Sequence, residues 1–125
     1  MSETKRVLIV DDSLVSRMMI KKGVSELCPQ WSLAEAKSAE DALLFVKEHD
    51  DIDYFSIDYN MPGMDGLSLM AELNQQFPKA KKALLTANIQ DVIQEKTDLL
   101  NGKCINKPIS EKSLEQLVTF FKEKS

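Results

Sequence analysis

Short apolar runs alternate with helix-period segments along this whole chain, and no other feature constrains its fold as strongly. A strand that leads into a helix and then into another strand rejoins its sheet as a parallel neighbour, through a right-handed crossover. Parallel strands covered on both faces read as continuous apolar runs. Val7–Val10 is such a run, rich in β-branched residues and leucine. Gln30–Ala36, Asp53–Ile57, Lys82–Leu85 and Lys103–Asn106 supply four more candidate strands. The expected class is α/β, a doubly wound (βα)5 unit with a five-stranded parallel sheet.

Five helices are expected between and after these strands. Ser13–Leu27 is the first, with Asp12 or Ser13 as N-cap and Pro29 as its stop. The second starts at Ser38, whose spacing to Asp41 suggests a capping box, and runs to about His49. Asp65–Phe77 ends before Pro78. Asn88–Leu100 has Gly102 beyond its end, and its apolar content is thin, so it should be the least firmly packed helix. Ser110 caps the last, in which Leu114, Leu117, Val118 and Phe121 follow helical spacing. Residues 1–125 are read as one domain with no output domain after it.

The strand ends carry the chemistry. Asp11 and Asp12 follow the first apolar run, Asp58 closes the third, Thr86 follows the fourth and Lys107 the fifth. In open parallel sheets, ligands bind outside the carboxyl ends of the strands, where the strand order reverses. Adjacent carboxylates oppose each other's ionisation, and a bound Mg²⁺, which takes oxygen ligands, would offset that repulsion. Taken alone, Asp12 could equally be a helix cap and Asp11 a solvated carboxylate. Asp58 at a second strand end favours the metal reading. Lys107, before Pro108, is a point charge suited to a phosphate, and the Thr86 hydroxyl could donate to a phosphoryl oxygen.

Several alternatives fail on residue type. As a calcium loop starting at Asp58, the segment would need side-chain oxygens at Pro62 and Leu69. A flavin phosphate at the first strand-to-helix turn would meet Asp11 and Asp12. The net charge of -4 argues against general nucleic-acid binding. No apolar stretch reaches membrane-spanning length, and Met1–Arg6 lacks a signal-peptide core. Cys28 and Cys104 have no metal-ligand spacing and are expected as reduced thiols in a cytoplasmic protein. His49 is expected to be a solvated surface residue.

Four segments, in this order, resemble the response-regulator receiver family of the CheY-like type. They are Val7–Ser13, Asp58–Gly66, Leu85–Ala87 and Asn106–Pro108. The resemblance implies a sheet in the order 2-1-3-4-5 and phosphorylation of Asp58 by a sensor histidine kinase. It also implies Mg²⁺ held by Asp12, Asp58 and the backbone carbonyl of Asn60, with Asp11 acting mainly through a water. Lys107 and Thr86 would contact the phosphoryl oxygens. The implied protein is a monomeric signalling protein, not an enzyme acting on a separate substrate, with chemotaxis as one candidate pathway. Its output partner would bind a face formed by the fourth helix, fifth strand and fifth helix. Cys104 stands where the family commonly carries an aromatic residue, three positions before the lysine. Two rival readings are a receiver-like scaffold that works unphosphorylated and an aspartyl-phosphate phosphatase. The latter usually carries a second Asp two residues after the first, where this chain has Ser13 after Asp11.

Overall fold

A computed structural model describes residues 4–123, so Met1–Glu3, on which the signal-peptide reading partly rests, lie outside the described residues. Strands β1 (Arg6–Val10), β2 (Ser32–Ala36), β3 (Tyr54–Asp58), β4 (Lys81–Thr86) and β5 (Gly102–Asn106) alternate with helices α1 (Leu14–Leu27), α2 (Ala39–Glu48), α3 (Gly66–Gln76), α4 (Asp91–Asp98) and α5 (Glu111–Lys122). All strand pairs are parallel, in the order β2-β1-β3-β4-β5. The chain steps one way from β1 to β2, then back past β1 to β3. That reversal opens a crevice at the carboxyl ends of β1 and β3.

Two apolar layers sandwich the sheet. On one face, Leu8, Val10, Phe55, Ile57 and Leu84 pack against α2 and α3, with Ile93 of α4 partly buried against them. On the other, Val7, Ile9, Ala83, Leu85 and Ile105 pack against Ile20 and Val24 of α1 and Leu117, Val118 and Phe121 of α5. The period-2 alternation of strand side chains divides each apolar run between the two faces. Cys28 and Cys104 are buried and unbridged, one in each layer.

Helix starts follow the sequence closely. The side chains of Ser13, Ser38, Asp65 and Ser110 accept the amides of Ser16, Asp41, Ser68 and Ser113. Each such cap contributes about 1 kcal/mol. Ser38 accepts the Asp41 amide as its spacing suggests, whereas both halves of a capping box are closed at Ser110, by Ser113.

Some boundaries differ. The second strand starts at Ser32, because the Trp31 amide turns back to the Cys28 carbonyl at 3.0 Å. Helix α4 is shorter than Asn88–Leu100: the Asn88 amide is taken by Thr86 Oγ1, and Gln90 is the N-cap. The thin packing expected of this helix is present, with Thr97 as its buried residue. The fourth strand extends to Lys81 and Thr86, and every residue in it is buried, both lysines included. His49 is half-buried, not solvated. Its ring stacks on Phe45 at 4.0 Å, and its Nδ1 bonds the Phe45 carbonyl.

Candidate functional site

Strand register places the site. Val10 lies opposite Ile57, so Asp11 and Asp58 emerge at the same level. Asp58 lies opposite Leu85, and Thr86 opposite Asn106, one residue before Lys107. The amides just beyond the strands continue the alignment: Tyr59 bonds the Leu85 carbonyl at 2.9 Å and Lys107 the Thr86 carbonyl at 3.0 Å.

Ligand oxygens of Asp11, Asp12 and Asp58 lie within 4.8 Å of one another. Asp11 is 1% and Asp58 5% exposed, while Asp12 is exposed. Lys107 Nζ lies 3.0 Å from Asp58 Oδ1 and 3.4 Å from Asp11 Oδ2. The structure thus brings together the four charged residues expected from the strand ends. The Thr86 hydroxyl is engaged within its own loop. It lies 3.4 Å from the Asn88 carbonyl and 3.3 Å from the Asn88 amide, closing a turn there. Asn60 sits exposed two residues beyond Asp58.

The electrostatics follow from three carboxylates facing one ammonium. Burial, and then the Asp11 charge and the nearby Asp12 carboxyl, push the Asp58 pKa up to about 6 against the pull of Lys107. Burial alone would lower the Lys107 pKa, but pairing with Asp58 and Asp11 outweighs it and the net shift is upward. An excess of negative charge is what a divalent cation would relieve. The donor set, all oxygen and partly open to solvent at Asp12, fits Mg²⁺.

Two positioning residues carried no signal for this role in the sequence. Arg17 Nη1 donates to the Asp11 backbone carbonyl at 2.7 Å, and its Nε pairs with Glu35 at 3.0 Å. It ties α1 and β2 to the acidic turn. Gly66, which reads as turn chemistry, is required by proximity: a Cβ there would stand 2.2 Å from the Asp58 carbonyl oxygen. The true turn glycine is Gly63, at φ +80°. The Lys107–Pro108 peptide is cis.

The fold and site together are a doubly wound five-stranded sheet with an acidic crevice at its switch point and a lysine across it. The family model of the response regulator receiver domain matches residues 7–119, and the chain belongs to that family. It is 34% identical over 84 residues to the chemotaxis protein CheY of Listeria monocytogenes, covering 66% of this chain and 67% of that one. It is also 30% identical over 82 residues to the glycerol metabolism activator of Pseudomonas putida, of whose length the match spans 37%. Among solved structures, CheY in the CheX-CheY-BeF3-Mg²⁺ complex of Borrelia burgdorferi superposes with a TM-score of 0.85. That match is 23% identical and covers 96% of this chain and 90% of the other. The receiver fold, with strand order 2-1-3-4-5, is therefore shown, and so is membership in the two-component response regulators. Among the described residues, no helix is long and apolar enough to cross a membrane.

Proposed function

We propose that this receiver accepts a phosphoryl group on Asp58 from the phosphohistidine of a sensor kinase, in the cytoplasm, and signals by binding a partner. One observation carries the reading: a buried Asp58 at the switch point, within 3.0 Å of Lys107 and grouped with two further carboxylates. A carboxylate oxygen of Asp58 attacks phosphorus. The bond to the donor imidazole breaks, its electron pair leaves with that nitrogen, and an acyl phosphate forms. A basicity raised by burial makes the ionised Asp58 the better nucleophile. Lys107 neutralises charge on the incoming phosphoryl oxygens. Mg²⁺, held by Asp12, Asp58 and the Asn60 carbonyl, with Asp11 acting through a water, would supply further charge neutralisation. Thr86 would leave its bond to the Asn88 loop to meet a phosphoryl oxygen. His49, at the C-terminal end of α2 and stacked on Phe45, does not serve as donor.

Leu14, Val15 and Met18 are exposed on the helix that begins two residues past Asp12. This apolar surface beside the pocket suits a protein donor. The output partner is assigned to the α4–β5–α5 face, with chemotaxis as a candidate pathway, and the protein is expected to act as a monomer. The protein performs its own phosphoryl transfer and dephosphorylation and is not otherwise an enzyme. Incubation with Mg²⁺ and a small acyl phosphate, borohydride reduction and peptide mapping test the assignment. Label should fall on Asp58 and vanish in Asp58→Asn. Label on another aspartate would refute it, and no label at all would favour the scaffold reading. Turnover of a small phosphate ester would favour a phosphatase.

A further inference from the structure

Helix α4 is fastened unequally at its two ends. Its apolar anchoring is partial: Ile89, Ile93 and Leu100 are only partly buried against the core, and Val92 is 57% and Leu99 84% exposed. At the N-terminal end, Gln90 makes no side-chain cap bond. The loop before it is held to Thr86 by two long contacts of 3.3 and 3.4 Å.

The C-terminal end is held by polar bonds to a fully buried lysine. Lys82, fully buried in β4, donates from Nζ to the Leu100 carbonyl just beyond α4 at 3.2 Å. The same ammonium donates to Asn74 Oδ1 in the last turn of α3 at 2.9 Å and to the Ala80 carbonyl at 2.7 Å. Its three protons thus meet three oxygens, near the carbonyl ends of two helices, where the helix dipole favours a cation. The Lys82 amide bonds the Asn101 carbonyl at 3.3 Å. Asn101, at φ 58°, donates its side chain to the carbonyls of Lys79 and Ala80. Next to it, a Cβ on Gly102 would stand 2.7 Å from the Lys82 carbonyl. An apolar side chain at position 82 would fill this space without the desolvation cost of an ammonium, but it would leave the Leu100 carbonyl unheld.

We propose that Lys82 is a positioning residue that pins the C-terminal end of α4 to the sheet, making the N-terminal end, beside Thr86, the end that moves on phosphorylation. The proposal rests on phosphoryl acceptance at Asp58. Lys82 itself lies four residues before Thr86, about 13 Å along the strand, too far to touch a phosphoryl group.

Hydrogen exchange on the full chain tests it, with and without Mg²⁺ and beryllofluoride, in wild type and Lys82→Met. In wild type, the response to beryllofluoride should be confined to residues 87–94. In Lys82→Met, the amides of Leu99 and Leu100, which bond the carbonyls of Glu95 and Thr97, should exchange about tenfold faster before any addition. The response should then extend through residue 103, while labelling of Asp58 stays within about twofold of wild type. Should the Met variant not fold, Lys82→Gln, which keeps a donor on a shorter stem, is read by the same criteria. Equal responses at both ends of α4 in wild type would overturn the proposal. So would a rise in exchange spread evenly over all five helices of the variant, the mark of a merely structural lysine. A wild type that ignores beryllofluoride would sink phosphoryl acceptance instead. The metal-free comparison at Leu99 and Leu100 would still decide the pin, and unchanged exchange there would remove it.

Discussion

At the carboxyl edge of the sheet, Lys107 lies 3.0 and 3.4 Å from two carboxylates. At the opposite edge, Lys82 is more deeply buried, and its three partners are neutral oxygens. The two lysines shift in opposite directions. Carboxylate pairing overcomes burial and raises the Lys107 pKa, whereas burial lowers that of Lys82 to about 8. Lys81, beside Lys82 but facing the other layer, repeats the carbonyl arrangement. It donates to the Phe120 carbonyl at 3.0 Å and to that of Glu123, at the end of α5. One edge of the sheet therefore gathers charge that a ligand can rearrange. The other uses charge to tie helix ends to strands, with nothing left for a ligand to change. Lys107 thus faces titratable partners, whereas Lys82 meets one side-chain amide oxygen and two backbone carbonyls.

The largest effect that could break this contrast is on stability. Lys82→Ala strands three acceptors, one buried and two partly buried, and leaves a cavity, so it should cost about 3–5 kcal/mol in a denaturant melt. Lys107→Ala should cost less, because Asp58 can take up a proton once its partner is gone. That variant should still be labelled at Asp58 yet bind its output partner poorly after phosphorylation. Equal stability losses at the two lysines would erase the distinction.

pH sharpens it further. Asp58 rises from 3.8 to about 6 on folding, so the folded state binds this proton more tightly than the unfolded state. Its contribution to stability is full below pH 3.8 and is lost as pH rises through about 6. Lys82 falls from 10.5 to about 8, so here the unfolded state binds the proton more tightly. The Lys82 contribution is full above pH 10.5 and is lost as pH falls through about 8. Each shift corresponds to something of order 3 kcal/mol. Metal-free melts should therefore show stability falling between pH 4 and 6 in wild type but not in Asp58→Asn. Between pH 8 and 10 they should show a rise that Lys82→Met lacks. Slopes that survive these substitutions would mean that other groups carry them.

The smallest stability effect is expected at exposed Asp12. Asp12→Ala should weaken Mg²⁺ binding at least tenfold in a metal titration, because few protein ligands remain. Its apo stability should stay within about 0.5 kcal/mol of wild type or rise, since like-charge repulsion is relieved. A clear loss of apo stability would show that Asp12 is a structural cap and not part of the reactive edge.

Much of this protein was legible along the chain. Apolar runs punctuated by Pro and Gly, with Ser and Asp at helix starts, are local signals, and they located all five strands and five helices. Asp11, Asp12, Asp58 and Lys107 could be read together because a parallel sheet sends every strand end carrying such a residue to the same edge. The exact start of β2 and the short α4 were not readable, because single hydrogen bonds from Trp31 and Asn88 decide them. Nor were the roles of Arg17, Gly66 and Lys82. Arg17 reaches the Asp11 carbonyl only when α1 lies against β1, and Gly66 is needed only because α3 begins against the Asp58 backbone. Lys82 in a strand looks like a solvent-facing polar residue until α3 and α4 both end over it and supply its three oxygens. Residue type and period are properties of the chain. Which carbonyl a buried ammonium meets is a property of helices packed together, and only the tertiary structure decides it.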